Sequence, residues 1–228
     1  MTASAPPVVL VHGLGSSAEH GWRSAGWLDL IADAGRPVVA PDLLGHGSAP
    51  APREPEAYAA MESDLLAAFP EGEVDAVGFS LGAQVLLRIA AREPARFHHL
   101  VLIGVGANLF ADRGPAARLA DAFTDGADPD DLTARLFVQM ARSAGNDPLA
   151  LAAFLRHERP PFTTEEIARV TCPTLVIIGD RDFAGPADPL VDALPDPRLV
   201  VLPGVDHFRV TSDFGCIDAA LDFLGLSF

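Results

Sequence analysis

Gly78-Phe79-Ser80-Leu81-Gly82 is a G-x-S-x-G pentapeptide set between two contrasting runs. Before it stands Val74-Asp75-Ala76-Val77, short and apolar enough for a buried strand. After it, Ala83-Gln84-Val85-Leu86-Leu87-Arg88-Ile89-Ala90-Ala91-Arg92 continues as a helix. A strand that becomes a helix within five residues forces the serine at the turn into a strained backbone conformation. Glycines two places to either side let neighbouring backbone come close. The hydroxyl is then held proud of the sheet, with a helix N-terminus behind it to stabilise negative charge.

Outward from this turn, similar apolar runs recur: Val8-Val9-Leu10-Val11, Val38-Val39-Ala40, Leu100-Val101-Leu102-Ile103, Thr174-Leu175-Val176-Ile177-Ile178 and Leu199-Val200-Val201-Leu202. Nearly uninterrupted apolar strands are what a parallel sheet covered on both faces requires. Helical stretches at roughly 24–34, 56–69, 81–92, 186–193 and 213–225 separate them. The alternation predicts an α/β fold with right-handed crossovers, its mostly parallel sheet having about six strands. From about 107 to 169 the rhythm breaks into helical pattern without a strand. We expect a small helical cap there, inserted into a single domain spanning 1–228 and lying over the strand C-terminal ends.

Composition narrows the classes. The 228 residues carry a formal charge of −15, which repels nucleic acid and anionic membrane, so neither is expected as a partner. All 16 basic residues are arginine, which excludes a lysine Schiff base. Cys172 and Cys216, the two cysteines, are expected as buried free thiols. No basic, apolar leader opens the sequence and no 18-residue apolar span follows, so a cytoplasmic location is expected.

Three further motifs follow strands. Val11-His12-Gly13-Leu14-Gly15-Ser16-Ser17 has glycines that let a main-chain N–H point toward an anion. His12 reads either as a base or, through hydrogen bonding, as a brace for the loop. Gly179-Asp180-Arg181-Asp182 offers two acids at a strand end, where carboxylates also serve as helix caps. Gly204-Val205-Asp206-His207-Phe208 holds the one histidine among seven that lies just past a strand and downstream of both serine and acid.

The order Ser, Asp, His, together with these motifs, resembles the α/β-hydrolase fold family. The likeness covers nearly the whole chain: an H-G loop at His12-Gly13, a G-H-G turn at Gly45-His46-Gly47, and a nucleophile elbow at Gly78 to Gly82. A P-x-L-x-x-x-G-x-x-D segment at Pro173 to Asp182 and a G-x-x-H loop at Gly204 to His207 complete it. The resemblance implies Ser80 as nucleophile, His207 as base, Asp182 as its orienting acid, and the backbone N–H groups of Leu14 and Leu81 as the oxyanion hole. It places the acid three residues after the glycine, which favours Asp182, with Asp180 as a loop tether. His46 reads as structural.

Two departures matter. The family often has two antiparallel strands ahead of the H-G strand, but only seven residues precede Val8, so a trimmed sheet is expected. In family order the strand near Val38 becomes an edge, and Pro37 suits an edge. An open edge leaves monomer and homodimer both available.

Phe79 and Phe208 flank the serine and histidine and are expected at the pocket wall, with Trp22 and Trp27 near the catalytic loops and Phe110, Phe123, Phe137, Met140 and Phe154 in the cap. The implied activity is a serine hydrolase acting on a small, mainly apolar carboxylic ester, thioester or lactone, with neither cofactor nor metal at the site. The same triad also serves C–C bond hydrolysis and cofactor-free perhydrolysis, and a ligand-binding member with a vestigial triad is the reading from another class. Ser80 disfavours dehalogenase and epoxide hydrolase chemistry, which use aspartate there. Arg113, Arg118, Arg135 and Arg142 are solvated faces or, one of them, a carboxylate ligand.

Overall fold

A computed structural model describes residues 5–111 and 114–226; Arg113 lies outside them. Among the described residues six strands form one sheet: β1 (Val8–Val11), β2 (Val38–Val39), β3 (Val74–Phe79), β4 (Phe97–Ile103), β5 (Thr174–Gly179) and β6 (Pro197–Leu202). Their spatial order is β2-β1-β3-β4-β5-β6, and every pairing is parallel. Parallel neighbours need crossovers, and the helices supply them. These are α1 (Trp27–Asp33), α2 (Met61–Ala67), α3 (Leu81–Arg92), α8 (Asp188–Ala193) and α9 (Phe214–Phe223), with α4 (Gly114–Asp125), α5 (Leu132–Ser143), α6 (Pro148–Arg156) and α7 (Thr164–Ile167) all between β4 and β5.

Burial explains the strand pattern. β1 and β5 are buried at every position, and β3 at all but Phe79, so side chains on both faces are apolar apart from Asp75 and Thr174. One face packs against α3 through Val9, Val11, Ala76 and Leu102; the other meets α1 and α9 through Val8, Leu10, Val77 and Ile177. Trp22 and Trp27 belong to this second core, edge to face at 5.1 Å, and Trp27 Nε1 donates at 2.8 Å to the carbonyl of Thr211, close to the loop that carries His207. The two-residue β2 is an edge, as its Pro37 anticipates.

Order 2-1-3-4 turns on β1, from which the chain departs in opposite directions. Ligands of open α/β sheets gather beyond the strand C-terminal ends near such a switch. Among the described residues no helix is long and apolar enough to cross a membrane. Cys172 and Cys216 are free and buried.

Candidate active site

Ser80 ends β3 and caps α3 with φ 52° and ψ −110°, and among the described residues it alone has a positive φ without being glycine. Surrounding structure must over-determine such a backbone. Its own N–H donates to the Ile103 carbonyl at 2.8 Å, and its carbonyl accepts from Gln84 N–H at 3.0 Å. Side chains are excluded nearby. A Cβ on Gly78 would stand 2.6 Å from the Ala83 nitrogen, and one on Gly82 would collide with the Val11 carbonyl oxygen. A Cβ on Gly13 would meet the Phe79 ring at 2.8 Å, so the H-G loop lies directly against the elbow.

Two loops at the same sheet end bring the partners. After β6, His207 is placed with its Nε2 3.0 Å from Ser80 Oγ. After β5, Asp182 sets both carboxylate oxygens 2.9 Å from His207 Nδ1. A carboxylate only accepts, so Nδ1 carries the proton and Nε2 is left to accept from the serine hydroxyl. All three groups are buried, His207 to 2% exposure. Asp182 is itself held, since Oδ1 accepts the Ala184 N–H at 2.8 Å. Asp180 instead accepts the Gly204 N–H at 2.7 Å, a tether between the β5 and β6 loops.

His12 and His46 stand outside this line. His12 Nε2 accepts the Leu43 N–H at 3.1 Å, so its Nδ1 donates to the Gly13 carbonyl at 2.9 Å; the ring braces the loop. His46 donates to the Leu44 carbonyl at 3.1 Å. Burial holds both imidazoles neutral, pushing His12 down and His46 down to about 3. Asn146 joins these turns: its oxygen accepts Gly47 N–H at 2.7 Å and its nitrogen donates to the carbonyls of Gly15 and Ser16 at 2.8 and 3.0 Å. No sequence motif marks Asn146.

Two unequal cavities meet at the serine. One of about 730 Å³ runs from Ser80 along α3 to the helices between β4 and β5, lined by Leu109, Phe137, Phe154 and Phe162. The other, about 210 Å³, is lined by Phe79, Met140, His207 and Phe208 with Ser16 and Thr211. Leu14, Ser80 and Phe137 border both. Phe79 and Phe208 therefore reach the pocket wall, and Leu14 and Leu81 stand beside Ser80.

The larger cavity also holds Gln84, Arg88, Arg118 and Arg159. Arg88 pairs with Glu166 at 2.9 Å and lies over the Phe162 ring at 4.0 Å, and Arg159 bonds Glu62. Gln84 and Arg88 follow Ser80 by four and eight residues, the spacing of one helix face, and that spacing is the signal by which the sequence exposes them. Arg135 donates to the Pro129 carbonyl on the exposed surface and does not line either cavity.

A family model described as the alpha/beta hydrolase family matches residues 8–214. The chain belongs to the alpha/beta hydrolase family. A pimeloyl-[acyl-carrier protein] methyl ester esterase of Neisseria meningitidis is 31% identical to it over 82% of this chain and 83% of that protein. An uncharacterized protein of Mycobacterium tuberculosis is 34% identical, but the match spans 46% of this chain and only 31% of that relative's length. Among solved structures, the 2-hydroxy-6-oxo-6-phenylhexa-2,4-dienoate hydrolase of Rhodococcus is similar to this protein with a TM-score of 0.74 and 25% identity, over 97% of this chain and 90% of that one.

Proposed function

We propose that this hydrolase cleaves carboxylic esters through an acyl-serine intermediate, with Ser80, His207 and Asp182 as its triad. The observation that carries the reading is the continuous line from Asp182 to His207 Nδ1 and from Nε2 to Ser80 Oγ, at the junction of two cavities. Ser80 Oγ attacks the ester carbonyl while His207 Nε2 takes its proton. The N–H groups of Leu14 and Leu81 receive the oxyanion, aided by the N-terminus of α3. His207 then passes the proton to the departing alkoxide, and water repeats the sequence to release the acid.

On this reading the unequal cavities take different halves of the ester. The larger, lined by the helical cap, takes the acyl chain; the smaller takes the alcohol. A medium-length acyl ester of a small alcohol fits best, in keeping with the methyl ester esterase among the relatives. Free Cys172 and Cys216 support a reducing compartment, the cytoplasm.

The test is a pair of reversed esters. Methyl octanoate should be hydrolysed faster than octyl acetate. The opposite preference would exchange the two cavities. A second reading, C–C bond hydrolysis on the same triad, is favoured by the likeness to the Rhodococcus dienoate hydrolase. Turnover of such a dienoate with no turnover of either ester would replace the ester reading.

A further inference from the structure

At the sheet end away from Ser80, the first residues of β3 and β4 gather three metal-ligating side chains. Asp75 is buried at 1% exposure, and its Oδ1 stands 2.9 Å from His98 Nδ1 and 3.0 Å from His99 Nδ1. Neighbouring residues of a regular strand face opposite sides of the sheet, so two adjacent imidazoles on one carboxylate oxygen require a break in the pleat. The register contains it. Val74 pairs with Phe97 but Asp75 with His99, so His98 is the extra residue of a bulge. Bulges re-aim side chains, and this one turns both rings to the same point, 4.1 Å apart and nearly perpendicular.

We propose that Asp75, His98 and His99 form a binding site for a divalent late transition-metal ion such as Zn²⁺ or Ni²⁺. Their ligand atoms all lie within 4.8 Å of one another, a span that small side-chain shifts close around one ion. Two imidazoles and a carboxylate suit those metals rather than Mg²⁺ or Ca²⁺, which favour an all-oxygen set. Each imidazole gives its Nδ1 lone pair to the ion by moving its proton to Nε2, so the rings stay neutral and no proton is lost. The ion replaces the two N–H···O bonds.

The surroundings suit an open, moderate-affinity site. His98 has a side-chain exposure of 46%, which leaves positions for water on the ion. Arg36 Nη2 holds Asp75 Oδ2 at 2.6 Å, fixing the carboxylate while leaving Oδ1 free to ligate. The guanidinium charge opposes the cation, whereas the protein's net charge of −15 attracts it. His99 is steadied by Phe223 of α9, ring centroids 5.2 Å apart. An ion here would clamp β3 to β4, remote from the chemistry at Ser80.

Titration calorimetry of chelator-treated protein with ZnCl₂ and with NiCl₂ tests this, beside His98→Gln and His99→Gln. Wild type should bind one equivalent and gain thermal stability on metal addition. Each variant should bind at least 10-fold more weakly and lose that gain, while its circular dichroism and ester turnover stay as in wild type. Absence of binding by the wild-type protein overturns the proposal. So does an affinity unchanged in either folded variant, which would move the ion to other histidines.

Discussion

The ring of Phe183 stands 4.3 Å, centroid to centroid, from the imidazole of His207, tilted by 40°. Phe79 approaches the same imidazole at 5.0 Å. Phe183 is itself 51% exposed, yet His207 beneath it is 2% exposed. The phenyl ring thus shields the base and restrains its plane. An aromatic pair of this kind contributes about 0.5–1.5 kcal/mol beyond its buried area. Phe183→Ala should lower kcat/KM for esters by roughly 2- to 10-fold, at about 1.4 kcal/mol per factor of ten, with the fold retained. Steady-state kinetics beside circular dichroism check it; an unchanged rate would remove Phe183 from any positioning role.

The elbow's glycines make a stability prediction. Because the collision at Gly82 is with the backbone of Val11, no side chain can rotate away to relieve it. Gly82→Ala should destabilise the protein by about 3 kcal/mol, the upper range for overpacking. A urea midpoint equal to wild type would contradict the close approach of α3 to β1.

Asp182 and Asp180 separate chemistry from tethering. Asp182→Asn should leave the fold intact but lower kcat by about 10⁴, because an amide N–H facing His207 Nδ1 favours the wrong tautomer. Asp180→Asn should cost about 1 kcal/mol of stability through its bond to Gly204, with kcat within a few-fold of wild type. Parallel kinetics and denaturation of the two variants decide the assignment.

His46 makes stability pH-dependent. Its pKa lies at about 3 in the folded protein because burial excludes the charged ring, against 6.5 unfolded. Between those values the unfolded chain holds a proton that the folded one does not. Stability is therefore complete above pH 6.5 and falls with pH below it, by up to about 1.4 kcal/mol per unit from this residue. His12, also shifted down by burial, adds in the same direction. Urea midpoints at pH 7.5 and 5.0 should show a smaller drop in His46→Asn than in wild type.

Much of this architecture is legible in the sequence because burial on both sheet faces leaves little freedom. The runs at Val8, Val74 and Thr174 can be nearly continuously apolar only if both faces are covered, and they are. The start of β4 at Phe97 is hidden, since His98 and His99 interrupt the apolar pattern at the bulge. The π-helical turn Ala18–Arg23 is hidden too, because Glu19-His20-Gly21 carries no apolar period. Trp22 follows the H-G loop closely in sequence but packs under the sheet, since chain proximity does not set direction across it. The meeting of Ser80, Asp182 and His207 is foreshadowed because each lies at or within a few residues past a strand end, on the same side of the sheet. Arg159 is not, since its approach to the cavity depends on how the helices between β4 and β5 settle on α3.

Acylation of Ser80 is the central claim, and intact mass after treatment with a fluorophosphonate tests it most directly. Wild type should gain one phosphonyl adduct and release p-nitrophenol from p-nitrophenyl butyrate, and Ser80→Ala, folded, should do neither. Turnover retained in Ser80→Ala, or folded wild type with neither adduct nor turnover, would contradict the account.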